Sequence, residues 1–264
     1  MGGKIIKDYL VISIMAEFDG VRAKLYKESI KEFPEARLED IAIMKKYLHP
    51  KKGEVILEVG AGSGFFSGII SDLIGEDGKL IVSDPSSDQL EEVKSLSKNN
   101  IEVLNRGAED IDLEKDSIDS IWSFGAIHHC FKKEQALSAF HDVLKTGGKV
   151  VVGDVFSGSK LAEHFDEKVD KYCITGHNVE FWTDKMVEEY CKNAGFEDVT
   201  ITELDINWKF KTKEDIGIFL YKIHGMTKTT PEECLKGAEE ILGIEYKNEL
   251  YCLNWPMKIF VAKK

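Results

Sequence analysis

Three observations predict an α/β fold, a mostly parallel sheet with helices on both faces. Between residues 55 and 155, short apolar runs rich in Val and Ile alternate with helix-periodic stretches, the pattern of a doubly wound sheet. The first run, Val55-Ile56-Leu57-Glu58-Val59, breaks into glycines at 60, 62 and 64 and then into apolar helical spacing at Phe65, Phe66, Ile69, Ile70, Leu73 and Ile74. Strand, glycine turn and helix start make a ligand loop, because glycine lets the backbone approach closely and first-turn N–H groups have no helical partners. Finally, 264 residues that are 43% hydrophobic and 31% charged can build one sizeable core with a lid or small second lobe.

The elements follow in order. Residues 1–50 read as a helical, amphipathic cap, with Ile30, Phe33, Ile41, Met44 and Tyr47-Leu48 at helical spacing and Pro34 marking a break. After a turn at 49–53, strands are expected at 55–59, 80–84, 101–104, 118–124 and 149–155, with helices at 87–97 and 134–144. Residues 156–180 are polar and hold His164, Cys173 and His177, which predicts a lid rather than core. Thr183 is a candidate N-cap for a helix over 184–193, before a sixth strand at 195–202. A second insertion, 209–250, carries helices at 213–223 and 231–242, and a seventh strand follows at 257–262. One α/β domain over 51–264 is therefore expected, with lids near 156–180 and 209–250.

Composition excludes several partner classes. The net charge is -12 and the only arginines are Arg22, Arg37 and Arg106, so no basic surface for nucleic acid is expected. No apolar run is long enough to span a bilayer, and Met1-Gly2-Gly3-Lys4 lacks a leader pattern, so a cytoplasmic protein is expected. The five cysteines stand singly, without the paired spacing of a zinc site; reduced structural thiols and no metal are expected. A homodimer stays open.

Four segments carry the chemistry. Dinucleotide enzymes use Gly-x-Gly-x-x-Gly, but Phe65 stands in the third-glycine place. The loop instead reads Glu58-x-Gly60-x-Gly62-x-Gly64. Asp84 ends the second strand about twenty residues on, where a carboxylate can accept hydrogen bonds from a ribose diol. Arg106-Gly107-Ala108-Glu109-Asp110 follows the third strand. The fourth runs Ser117-Ile118-Asp119-Ser120-Ile121-Trp122-Ser123-Phe124-Gly125-Ala126-Ile127-His128-His129, and Leu144-Lys145-Thr146-Gly147-Gly148 turns into the fifth.

Together, over residues 54–155, these segments resemble the class I S-adenosylmethionine (SAM) methyltransferases, most closely the small-molecule type related to ubiquinone and menaquinone methyltransferases. Phe18-Asp19-Gly20-Val21 and Tyr26 echo that group's N-terminal segment. The resemblance implies a Rossmann-like, seven-stranded, mostly parallel sheet and SAM as cofactor. It places SAM along Glu58, Gly60, Ala61, Gly62 and Ser63, the ribose at Asp84 with Pro85, and the adenine at Gly107, Ala108 and Glu109. Ser123, Phe124 and Tyr26 complete the implied cofactor site. An acidic strand end near a sulfonium and an ammonium group is electrostatically favourable.

Methyl transfer needs the acceptor held dry and in line with the methyl carbon. His128 and His129 lie just past the fourth strand and are the candidate catalytic residues, either as base or as loop packing; His164, His177 and Asp154 are further candidates. The expected function is SAM-dependent methylation of a small molecule. Alternatives are a non-catalytic SAM-binding module and a nicotinamide-dependent oxidoreductase.

Overall fold

The computed structural model describes residues 18–264. Met1-Gly2-Gly3-Lys4, and the rest of the expected 1–50 cap before Phe18, lie outside the described residues. Five parallel strands form one side of the sheet: β1 (Val55–Val59), β2 (Lys79–Ser83), β3 (Ile101–Leu104), β4 (Ile118–Phe124) and β5 (Leu144–Asp154), in the order β3-β2-β1-β4-β5. β1 reads as an unbroken apolar run because both of its faces are covered. Ile56 enters one core with Ile70 and Trp122, while Leu57 points to the opposite core with Ile121 and Phe140. From β1 the chain goes to β2 on one side and later returns to β4 on the other. Their C-terminal loops diverge there, and open α/β sheets bind ligands in such a crevice.

Beyond β5 the sheet turns antiparallel. β8 (Leu250–Lys263) inserts between β5 and β6 (Glu197–Phe210), completing the order β3-β2-β1-β4-β5-β8-β6. The α/β class is as expected, with one more strand than the seven read. The eighth, β7 (Ile244–Lys247), forms a hairpin with β8 through Asn248 and Glu249, both at positive φ as a two-residue hairpin turn requires.

β6 and β8 are each 14 residues long and run well past the expected 195–202 and 257–262. The cause is a period-two apolar row: Leu204, Ile206, Trp208 and Phe210 pair across the ladder with Met257, Trp255, Leu253 and Tyr251. Trp208 and Trp255 stack with centroids 3.8 Å apart. The two strands thus continue as an arm beyond the sheet.

Helices cover this arm. α1 (Val21–Glu32) packs on α8 (Lys213–Ile223), α8 on α9 (Pro231–Ile241), and α2 (Leu38–Tyr47) on β6. A capping box at Thr212 and Asp215 starts α8, and Thr230 with Pro231 starts α9. On the sheet itself lie α3 (Ser67–Ile74), α4 (Ser87–Ser95), α5 (Lys133–Val143) and α7 (Asp184–Ala194), the last capped by Thr183 as expected.

The segment read as lid rather than core buries one face, while its other positions stay exposed. α6 (Lys160–His164) continues into a π-helical stretch (Phe165–Val169) and a final short turn (Asp170–Tyr172). His164, Cys173 and His177 are all buried, shielded by Leu161, Phe165, Val169 and Trp255. Local polarity misled because the exposed positions of the segment outnumber its apolar residues, which find a partner in Trp255 of β8, about ninety residues on. All five cysteines are free and buried. No helix of the described residues is long and apolar enough to cross a membrane.

Candidate active site

The glycine loop sits at the crevice. Gly60, at φ +67, donates its N–H to the Ser83 carbonyl at 2.8 Å, and a Cβ there would fall 2.3 Å from the Ala126 Cβ. Only glycine lets the exits of β1 and β4 approach this closely. Gly62, at φ +54, donates to Asp84 Oδ2 at 2.8 Å, and a Cβ built there would meet the Tyr26 ring at 3.7 Å. Ala61 is buried, and Ser63 is half-buried at the loop's tip.

Two buried carboxylates flank the loop. Glu58 Oε2 accepts from the Ser67 hydroxyl at 2.6 Å, while its Oε1 is buried without a hydrogen-bond partner. Burial, reinforced by the nearby Asp84 charge, pushes the Glu58 carboxyl up to about 8. Asp84 Oδ1 accepts from the Ser86 N–H at 2.8 Å, so both its oxygens already hold backbone donors. Burial still pushes it up to about 6, against the pull of those two bonds. Each oxygen keeps a second lone pair for another donor.

The other predicted positions divide between the two sides of β1. On the β3 side, the Asp84 N–H bonds the Leu104 carbonyl, which brings Asp84 beside the start of the Gly107-Ala108-Glu109 segment. Ala108 is buried at the start of a 3-10 turn (Ala108–Asp110), and Glu109 Oε2 accepts from the Cys130 thiol at 3.4 Å. Pro85 is exposed. On the β4 side Ser123 is buried with an unpartnered hydroxyl, and Phe124 stacks on Trp122 with Phe66 edge-on to both. A cavity between the two sides is lined by Tyr26, Arg37, Glu58, Gly60, Phe65 and Phe124. Sequence reading missed Arg37. Its guanidinium is held by Asp40 at 2.6 Å and lies over the Phe65 ring at 4.4 Å, and no local motif marks a contact spanning that much chain.

His128 and His129 lie in a 3-10 turn (Ile127–His129) past the end of β4. His128 Nδ1 is 2.5 Å from Asp154 Oδ1, and Asp154 Oδ2 accepts the His128 backbone N–H at 2.9 Å. The neighbouring imidazole and these bonds hold Asp154 below the usual carboxylate range, although burial opposes them. His177 is a buried residue at the end of the 160–177 segment, positioned by its N–H to Asp170 Oδ1 at 2.8 Å. One nitrogen from each of His128, His129 and His177 falls within a common 4.8 Å. Phe18 packs edge-on against His129, while Ser86 bonds the Phe18 carbonyl and Asp19. The 18–26 segment therefore straps across the loop from the β2 exit to the β4 exit.

Comparison with known proteins follows this geometry. Residues 56–148 match a family model described as a methyltransferase domain. The ubiquinone/menaquinone biosynthesis C-methyltransferase UbiE of Haemophilus ducreyi is 28% identical over 107 residues, 39% of this chain and 41% of that protein; the match thus spans about two-fifths of the relative's length. Phosphoethanolamine N-methyltransferase 2 of Haemonchus contortus, solved with S-adenosyl-L-methionine, superposes with a TM-score of 0.66 at 18% identity, over 92% of this chain and 56% of that one. The YcgJ protein of Bacillus subtilis superposes with a TM-score of 0.61 at 16% identity, over 86% and 98%. The domain match is confined to residues 56–148, and with the motif resemblance and the shared sheet it supports reading that stretch as a SAM-dependent methyltransferase domain.

Proposed function

We propose that the protein transfers the methyl group of SAM to a small-molecule acceptor by in-line displacement. The observation that carries this reading is the Glu58 carboxylate oxygen left buried and unpartnered beside a loop that only glycine permits. A buried acceptor without a donor is costly, and the ammonium of SAM's methionine part supplies both donor and countercharge. Asp84, on the opposite side of the loop, suits the ribose diol, and Gly107, Ala108 and Glu109 suit the adenine. Phe124, Ser123 and Tyr26 close the apolar side.

SAM supplies a carbon already activated by its sulfonium. The chain's own residues bind, align and exclude water: the 18–26 strap covers the loop, and Phe65, Phe66, Trp122 and Phe124 keep its β4 side dry. His128 and His129 we place at the acceptor end. Asp154 fixes the His128 tautomer, leaving Nε2 to draw a proton from a hydroxyl, thiol or enolisable carbon. The acidic net charge favours a small acceptor over nucleic acid, and the free cysteines suit a reducing cytoplasm.

Calorimetric titration with S-adenosylhomocysteine, with NAD alongside, tests the cofactor. Binding of the first alone is expected, followed by transfer of labelled methyl from SAM in an acceptor screen. Binding of NAD alone would overturn the proposal. Homocysteine-analogue binding without transfer to any acceptor would favour a non-catalytic module.

A further inference from the structure

Five of the seven histidines converge on one buried region between the ends of β4 and β5 and the 160–177 segment. His128, His129 and His177 lie within ring-centroid distances of 4.2–5.6 Å of one another. His164 and His224 stand behind them, around Phe165 and Trp255. Such crowding is unfavourable for imidazolium ions, and burial holds His177 and His224 far below the ordinary histidine range. Neutral imidazole is the form that binds metals.

We infer that His128, His129 and His177 form a binding site for a divalent transition metal of the zinc class. His128 has its far nitrogen fixed by a carboxylate, the arrangement that orients a metal-bound histidine and raises its basicity. His177 is 5% exposed, and neither of its ring nitrogens has a hydrogen-bond partner. A neutral imidazole carries one donor and one acceptor, so a buried ring that uses neither needs some other partner, and a metal ion satisfies the acceptor. The three ligand nitrogens already lie within 4.8 Å of one another. Metal–nitrogen bonds of about 2.0–2.1 Å would draw them closer.

Three imidazoles leave a fourth tetrahedral position for water or an acceptor atom, the pattern of a catalytic rather than a structural site. With the metal bound, His128 Nε2 is a ligand rather than the base, and the metal takes over activation of the acceptor; this deepens the proposed reaction and rests on that reading for the acceptor, but the metal site stands on its own geometry. The signal was invisible to a search for cysteine spacing. His128-His129 is adjacent in sequence, whereas His177 lies 48 positions beyond His129 and joins them only in the fold.

The test uses the full chain, stripped with chelator and then titrated with Co2+ as a spectroscopic probe and Zn2+ as competitor. Expected are one equivalent of bound metal by mass spectrometry and visible Co2+ absorption of the intense four- or five-coordinate kind. Zn2+ abolishes that absorption, and His177→Ala removes it while S-adenosylhomocysteine still binds. Asp154→Asn should weaken Co2+ by about 10–100-fold without removing it. Absence of stoichiometric metal, or a Co2+ spectrum unchanged in His177→Ala, overturns the site. Should His177→Ala fail to fold, His177→Gln decides in the same way. Failure of S-adenosylhomocysteine to bind while Co2+ binds would overturn the cofactor reading and leave the metal site intact.

Discussion

The β1–β5 half and the β6–β8 arm are parts of one sheet, yet they are held by different kinds of contact. In the first, the strands pair in parallel, and the ligand loop between β1 and its helix is fixed by hydrogen bonds to the end of the neighbouring strand β2 and by close approach to the exit of β4. In the second, two long antiparallel strands meet through an aromatic stack, and their cover comes from both ends of the chain: α1 and α2 before the sheet, α8 and α9 late in it. In the proposed reading the first half is the cofactor platform, and the second is a wall on the acceptor side. If the division is real, stability and cofactor affinity should separate by mutation.

Phe219→Ala offers the largest effect. Phe219 is fully buried in α8 and packs edge-on against Phe33 and Trp208. Its truncation should cost about 3–5 kcal/mol in denaturant unfolding, with S-adenosylhomocysteine affinity unchanged in the folded fraction. An affinity loss as large as the stability loss would dissolve the distinction.

Gly60→Ala should do the reverse. Overpacking against Ala126 at a positive φ should cost about 1–3 kcal/mol of stability, but calorimetric binding should vanish. Retained binding would show that the loop can shift to accommodate a methyl.

Glu58 sharpens the comparison through pH. Its folded carboxyl is raised to about 8 from 4.5, so between those values the native state holds more protons than the unfolded one. Stability from this group is fully present below the lower value and is lost as pH rises through the upper, by roughly 1.4 kcal/mol per pH unit at most. Glu58→Gln cannot titrate, so its stability curve from pH 5 to 8 should be flatter and its homocysteine-analogue binding weaker. Parallel curves for the two proteins would count against the raised value.

Asp84 gives the smallest effect. Its carboxyl is raised to about 6, and only the ionised form accepts both hydroxyls of a diol. Affinity should fall by about tenfold per pH unit below 6, and Asp84→Asn should bind weakly with little pH dependence. A wild-type affinity constant from pH 5 to 8 would move the ribose elsewhere.

The contrast also explains what could be read in advance. Glu58, Gly60, Gly62 and Asp84 were legible because strand, turn and strand end are local, and each residue type is demanded by its own backbone or position. The α8 and α9 helices were legible as helical stretches at 213–223 and 231–242, and the structure starts them at caps on Thr212 and Thr230 that act within one turn. Arg37 was not, because its value lies in reaching Phe65 and Asp40 at once. His177 sat in a stretch whose polarity suggested solvent, and only the packing of Phe165 and Trp255 buried it.

The sequence by itself determined the α/β class, the glycine loop and the acidic residues around it, since periodicity, glycine conformations and strand-end chemistry are short-range. Tertiary structure alone decided the length of β6 and β8, the strap of residues 18–26 over the loop, and the meeting of His128, His129 and His177. Those features depend on which distant segments share a face, and that is settled by burial across the whole chain rather than by any local pattern.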